Sequence, residues 1–103
     1  MSKIDICGYE FTAAPDEWDR LYGVDFFRQI GDSYIGIQIK PGTFQSSSVY
    51  GRLKGALRDQ RRKFRKEFGG QVFMVYKDDE GKIINADICE EIRGEIQRLS
   101  GTQ

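Results

Sequence analysis

The stretch that decides the fold is VDFFRQIGDSYIGIQIKP, residues 24–41. Two of its runs, 24–30 and 33–40, are rich in the β-branched and aromatic residues that are typical of strands. Gly31-Asp32 between them suits a two-residue hairpin turn. Pro41 ends the second run because proline cannot continue the hydrogen bonding of a central strand. The sequence therefore predicts a β-hairpin.

The turn also predicts the register of this hairpin. With residues 31–32 as the turn, Asp25 lies opposite Gln38, and the Cβ atoms of such a pair are about 5 Å apart on one face. Lys40, two residues beyond Gln38, points to the same face. The opposite face receives the apolar residues Val24, Phe26, Ile35, Ile37 and Ile39. A shift by one residue would destroy both patterns, so the register is strongly specified.

Further strands and helices are predicted around the hairpin. In chain order we expect an extended segment with a bend at Gly8, a short helix at 15–22, the hairpin, a polar loop at 43–48, a long helix at about 48–68, a strand at 71–76 that returns at 82–84, and a C-terminal helix. The long helix has a stripe made of Leu53, Ala56, Leu57, Gln60, Phe64 and Phe68. This order predicts one α+β domain over residues 1–103.

The charges are unevenly distributed, although 16 basic and 16 acidic residues give a net charge of zero. Half of the basic residues fall in the long helix. We predict that this helix binds the phosphates of a nucleic acid through Arg58, Arg61, Arg62, Lys63, Arg65 and Lys66. The alternative is that these residues form only a solvated outer face.

Four absences in the sequence limit the possible functions and locations. The chain has no histidine, which excludes His-dependent nucleases, Ser-His-Asp triads and His-ligated zinc. Cys7 and Cys89 form no CxxC pair, and we expect free thiols. No apolar run reaches about 20 residues, so no membrane partner is expected. The N-terminus has no signal-peptide pattern, which predicts a cytoplasmic protein.

The polar face of the hairpin carries residue types suited to phosphodiester hydrolysis. Asp25 is an oxygen ligand for Mg²⁺, Gln38 offers an amide oxygen, and the carbonyl of Ile39 is a plausible third protein ligand. Lys40 could orient the attacking water and offset charge in the transition state. The alternative is a simple ion pair between Asp25 and Lys40 on a solvated face.

These residues also resemble a known signature. An Asp followed on the adjacent strand by [Asp/Glu/Gln]-x-Lys is the pattern of the PD-(D/E)xK nucleases, present here as Asp25 and Gln38-Ile39-Lys40 in the less common Gln form. The segments at 14–27 and 34–44 resemble the catalytic segment of MjaI-type restriction endonucleases. Asp19 lies six residues before Asp25, as in many related motifs. The alternative for Asp19, with Asp16 and Glu17, is a favourable interaction with the helix dipole.

The resemblance implies a restriction-endonuclease-like core, in which a mixed β-sheet is flanked by helices and a hairpin carries the site. It also implies a DNA substrate and a divalent metal, Mg²⁺ or Mn²⁺. Because cutting both strands with one site per chain needs two copies, we expect a homodimer. Two alternatives remain open: a nucleic-acid-binding module without catalysis, and a protein-interaction domain whose basic helix meets an acidic partner. The chain could also be part of a longer enzyme.

Overall fold

The computed structural model describes residues 3–43 and 48–101, so most of the predicted loop at 43–48 lies outside the described residues. The elements are β1 (Lys3–Ile6), β2 (Tyr9–Ala13), α1 (Asp16–Tyr22), β3 (Phe26–Ile30), β4 (Ser33–Pro41), α2 (Ser48–Phe68), β5 (Gly69–Lys77) and α3 (Ile88–Leu99). In the described part of the chain, no helix is both long enough and apolar enough to cross a membrane.

The strands form one mixed sheet in the order β1-β2-β3-β4-β5. The first four strands are antiparallel neighbours, and β5 is parallel to β4. Parallel neighbours need a crossover connection, and α2 supplies it. The prediction of an α+β fold with a mixed sheet flanked by helices is confirmed.

The first strands form a hairpin of their own, where the sequence indicated one extended segment with a bend. Cys7 and Gly8 form its two-residue turn, with φ of 58° and 87°. Positive φ at both central residues is the signature of the turns that match the twist of paired strands. At the other end of the sheet, the predicted return strand at 82–84 is reduced to a single bridge between Lys77 and Ile83.

The cysteines form a disulfide, so the expectation of free thiols was wrong. Cys7 and Cys89 are bonded with a Cα–Cα distance of 5.4 Å, across a sequence separation of 82 residues. The bond joins the turn between β1 and β2 to the first turn of α3. The two cysteines meet because the first hairpin and α3 pack against the same apolar cluster, a long-range contact that spacing in sequence does not reveal.

The sheet has two apolar layers. On its α3 side, the largest cluster of buried residues includes Ile35 and Ile37 of β4, with Phe26 and Ile39 packed against it. On its α2 side, Phe64 and Val72 form a second cluster with the rings of α1. The aliphatic alternation of β4 is therefore confirmed, and it leaves the opposite face of that strand to Gly36, Gln38 and Lys40.

Val24 is on the α2 side, so its predicted place in the other layer was wrong. It is fully buried beside Phe64 and Val72. The regular pairing of β3 ends at Phe26, and alternation therefore does not extend to residue 24. Gly36 makes room for it: a Cβ on Gly36 would lie 2.8 Å from Cγ2 of Val24.

Helix α2 packs on the sheet through only part of its predicted stripe. Phe64 is fully buried, and Leu57 is buried against Met74 and Tyr76 of β5. Leu53, one turn earlier, is 43% exposed, and Ala56 is exposed. Because Tyr76 lies near the end of β5, the turn before Leu57 extends past the sheet.

Candidate active site

The hairpin register was predicted correctly. Residues pair from Ile30 with Ser33 through to Phe26 with Ile37, and Asp25 follows directly after the last pair. Its N–H donates to the carbonyl of Ile37 at 2.8 Å, and its C=O accepts from the N–H of Ala14 at 2.9 Å. The backbone of Asp25 is thus fixed by two strands at the point where β3 begins.

The side chain of Asp25 is held by β4. Its Oδ2 accepts a hydrogen bond from the N–H of Ile39 at 2.9 Å. The carboxylate therefore replaces the backbone carbonyl that a longer β3 would offer to this strand. A hydrogen bond from the backbone fixes the direction of the carboxylate without neutralising its charge, as a preformed ligand requires.

Two charged side chains face Asp25. The pKa of Asp25 is raised, first because the carboxyl group is partly buried, and then because the carboxyl group of Asp19 is close enough to repel it and share a proton. The hydrogen bond from Ile39 and the charge of Lys40 act in the opposite direction. A partly buried carboxyl group (Asp25) beside an exposed one (Asp19) is a local excess of negative potential that a cation would relieve.

Helix α1 positions Asp19 next to Asp25. The helix ends at Gly23, which has a φ of 70° and donates its N–H to the carbonyl of Asp19 at 3.0 Å. This left-handed end turns the chain from α1 directly into Asp25. Asp16 and Glu17 are exposed, and neither contributes to the pKa of Asp25. Of the acidic residues of α1, Asp19 is therefore the one that influences the pKa of Asp25.

Gln38 lies on the α2 side of β4, two residues before Lys40, and is only 6% exposed. Its amide packs between the end of α1 and the middle of α2. A Cβ on Gly23 would lie 2.9 Å from Nε2 of Gln38 and 3.0 Å from Oε1 of Gln60. The absence of a side chain at Gly23 thus leaves room for both amides.

Gln60 and Gly23 were not predicted as site residues. The sequence does contain a signal for Gln60, which is a polar residue within the stripe that buries Leu57 and Phe64. Gly23 directly follows the predicted short helix at 15–22, so the sequence indicates only that this residue ends the helix. Its second role, making room for two amides, depends on a contact between β4 and α2 that the sequence does not show.

Ile39 and Lys40 complete the end of β4. In an extended strand the N–H and C=O of one residue point to the same edge, so the carbonyl of Ile39 points toward the edge where its N–H meets Asp25. Lys40 is half-buried and pairs in register with Tyr76 of β5. Asp19, Asp25, Ile39 and Lys40 are therefore brought together, with Gln38 on the adjoining face.

The basic residues of α2 divide between two sides of the helix. Arg61, Arg62 and Arg65 line a groove of about 520 Å³ whose other walls are β5 and Glu91 of α3. Lys63 and Lys66 line a smaller hollow next to the end of α1. Arg58 is exposed.

The donor set fits a hard divalent cation. Two adjacent carboxyl groups, a backbone carbonyl and an amide are the oxygen ligands that Mg²⁺ and Mn²⁺ prefer. Among residues 3–43 and 48–101 there is no group of three or more His, Cys, Asp or Glu side chains that could hold a metal. A cation at Asp25 would therefore depend on the amide, the carbonyl and water in addition to the two carboxylates.

Comparison with known proteins identifies the family of the chain. The family described as MjaI restriction endonuclease matches residues 3–96, which include every element from the first strand into α3. No curated protein and no solved structure matches the chain. Since the match covers nearly all of the sequence, the chain belongs to the MjaI restriction endonuclease family.

Proposed function

We propose that this protein is a metal-dependent DNA endonuclease that hydrolyses phosphodiester bonds at the end of the β3–β4 hairpin. The observation that carries the proposal is the fixed carboxylate of Asp25, bonded to the N–H of Ile39 and placed beside Asp19 and Lys40. Family membership supports a nuclease. The identity of the cation, the DNA substrate and the roles of the individual residues are what we propose beyond this membership.

Asp25, Gln38 and the carbonyl of Ile39 would hold the cation, and Asp19 would complete the acidic side of the site. When bound, Mg²⁺ or Mn²⁺ supplies a Lewis acid for the phosphate and lowers the pKa of a coordinated water. The β4 backbone keeps the carboxylate of Asp25 in one orientation. Lys40 orients the attacking water and offsets negative charge that develops on the phosphate.

The proposal extends to the DNA backbone. Arg58, Arg61, Arg62, Lys63, Arg65 and Lys66 of α2 would neutralise phosphates, which positions a duplex without reading its sequence. A homodimer would supply the second site needed to cut both strands. We also propose a cytoplasmic location, where cellular DNA is accessible.

Cleavage of supercoiled plasmid tests this function. The wild type is expected to nick or linearise the plasmid with Mg²⁺ or Mn²⁺ and to be inactive in EDTA. Asp25→Ala and Lys40→Ala should lose the activity. The matched controls Asp79→Ala and Lys82→Ala change the same residue types on the exposed loop after β5 and should keep it.

The negative outcomes distinguish the alternatives. An intact plasmid together with salt-sensitive DNA binding would indicate a binding module without catalysis. Failure to bind DNA at any salt concentration would refute the nucleic-acid function. Equal cleavage by the wild type and Asp25→Ala would place the chemistry elsewhere.

A further inference from the structure

The groove of about 520 Å³ lies between α2 and α3, along the edge of the sheet where β5 is the last strand. Its floor is apolar and includes Val72, Met74 and Ile88, all of which are buried. Glu91 of α3 also lines it. The wall on α2 consists of three arginines, Arg61, Arg62 and Arg65. The groove therefore combines a cationic wall with an apolar floor.

The backbone of β5 along this groove is already hydrogen-bonded to side chains. The N–H of Gln71 donates to Glu95 at 3.0 Å. Asn85 accepts from the N–H of Tyr76 and donates to the carbonyl of Met74, both at 2.9 Å. A further strand, from a peptide or from a second copy of this chain, would have to displace these bonds in order to pair with β5. The ligand of the groove is therefore one that side chains recognise.

The dimensions of the groove suit one strand of a nucleic acid. From Gln71 to Tyr76 the groove follows β5 for about 16 Å, at the rise of an extended strand. Its volume spread over that length corresponds to a cross-section of about 30 Å². A duplex, whose major groove alone is about 12 Å wide, does not fit such a channel. A single strand does, with guanidinium groups for its phosphates and an apolar floor for its bases.

The groove begins beside the candidate active site. Tyr76, which lines one end of it, is the register partner of Lys40 on β4. The side chain of Tyr76 is on the α2 side of the sheet, where it packs with Leu57, and Lys40 lies on the same side. From Tyr76 the groove runs toward Gln71, near the start of β5. A strand held at Lys40 would therefore have the groove next to it.

We propose that this groove binds an unpaired DNA strand next to the cleavage site, so that the preferred substrate is a fork or frayed end and not a uniform duplex. This inference rests on the proposed function. Arg61 is half-buried, and Arg65 follows one helical turn later on the same face of α2. Both guanidinium groups thus contact the same strand. Lys63 and Lys66, on the other side of α2, are left for the duplex.

The experiment compares the binding of two fluorescently labelled DNAs of equal length by anisotropy, in EDTA to prevent cleavage. One is a blunt duplex, and the other is a fork whose two strands are unpaired at one end. We expect the wild type to bind the fork about tenfold more tightly, since a single hydrogen bond to a charged group contributes roughly that factor.

Three variants separate the groove from the general charge of α2, with thermal unfolding as a check of the fold. Arg61→Gln should lose most of the preference for the fork. Lys63→Gln removes the same charge on the other side of α2, so it should weaken the binding of both DNAs and leave their ratio unchanged. Glu91→Gln removes a carboxylate that repels phosphates and should raise the preference about two- to fivefold.

The outcomes distinguish a failure of this inference from a failure of the proposed function. If the wild type cleaves plasmid but binds both DNAs equally, the inference is refuted and the proposed function stands. If Arg61→Gln and Lys63→Gln change the ratio alike, the charge of the helix alone is responsible, which also refutes the inference. Displacement of the fork by polyglutamate as readily as by an unlabelled single strand would assign the groove to acidic peptides instead. If the wild type binds neither DNA, the proposed function fails and this inference fails with it.

Discussion

Replacing Gly23 by alanine tests the geometry of the site through protein stability. Gly23 has a φ of 70°. The position that a Cβ would occupy on this residue lies within 3.0 Å of side-chain atoms of Gln38 and Gln60. Gly81 provides the matched control. Its φ is 84°, and no atom lies within 4 Å of the position that a Cβ would occupy.

The expected magnitudes follow from this difference. A left-handed conformation costs an L-residue roughly 1–2 kcal/mol, and part of that cost is offset because alanine restricts the unfolded chain. Gly81→Ala should therefore lose about 1 kcal/mol of unfolding free energy. Gly23→Ala bears the same cost and must also displace two amides, one of them buried. Inserting a methyl group into an occupied space costs roughly 1–3 kcal/mol, which gives a total of about 2–4 kcal/mol.

Urea unfolding of the metal-free proteins measures both values, and a Mn²⁺ titration adds a functional result. We expect Gly23→Ala to weaken Mn²⁺ binding and Gly81→Ala to leave it unchanged. Equal destabilisation by the two substitutions would refute the close packing of Gly23 against Gln38 and Gln60. Unchanged Mn²⁺ affinity in a folded Gly23→Ala protein would refute the link between this packing and the cation.

Three further predictions concern the disulfide, Asp25 and the basic helix. Reducing the Cys7–Cys89 bond, which spans 82 residues, should lower the unfolding free energy by about 4.5 kcal/mol in the chain-entropy account, measured by guanidinium titration with and without reductant. Because the pKa of Asp25 is raised above 3.8, this carboxyl group binds more protons in the folded protein than in the unfolded chain between 3.8 and that raised pKa. The contribution of Asp25 to metal-free stability should therefore fall as the pH rises through this window, against an opposite contribution from Glu95, whose pKa is lowered by Arg98. The wild type should lose stability relative to Asp25→Asn, which should be the more stable protein at neutral pH. Replacing a phosphate-binding residue such as Arg62 or Lys66 by alanine should reduce the slope of log K against log[salt] for DNA binding by about 1.

Each of these has a result that would contradict it. Identical unfolding curves with and without reductant would show that the cross-link does not stabilise the fold. An Asp25→Asn protein less stable than the wild type in EDTA at neutral pH would mean that the site favours the charged carboxylate without a cation. Salt slopes unchanged by both replacements would remove α2 from the DNA interface.

The hairpin could be predicted from sequence because its determinants are local. A two-residue turn at Gly31-Asp32 leaves little freedom in register, and the aliphatic residues of β4 alternate strictly. Both signals lie within 18 residues and agree with each other. These signals also predicted that Asp25 lies opposite Gln38. In the structure the regular pairing stops at Phe26, and the carboxylate of Asp25 accepts a hydrogen bond from the N–H of Ile39.

The remaining features depend on contacts between distant segments. Val24 lies on the α2 side of the sheet, and not on the predicted α3 side, because the pairing of β3 stops at Phe26. The prediction from periodicity assumed that the pairing continues to residue 24. The disulfide joins the first turn of the chain to α3. The position of Gln38 and Gln60 next to Gly23 requires β4, α1 and α2 to be packed together, whereas a helical stripe shows only that Gln60 faces inward.

Under the proposed function, Asp25 is a residue at which function opposes stability. A partly buried carboxylate beside a second one is unfavourable in the metal-free protein, as its raised pKa shows. An asparagine could accept the bond from Ile39 without the repulsion from Asp19. Two adjacent carboxyl groups are what the proposed cation site requires, and such a site would be maintained at a cost in stability.

The most direct test of the account is a crystal structure of the protein soaked in Mn²⁺, with the ion located by anomalous scattering. We predict one strong peak within bonding distance of a carboxylate oxygen of Asp25, with Oε1 of Gln38 and the carbonyl of Ile39 as further ligands and Asp19 on its acidic side. A peak bound elsewhere, or a site at Asp25 that stays empty at saturating Mn²⁺ while Lys40 pairs with the carboxylate, would contradict the account.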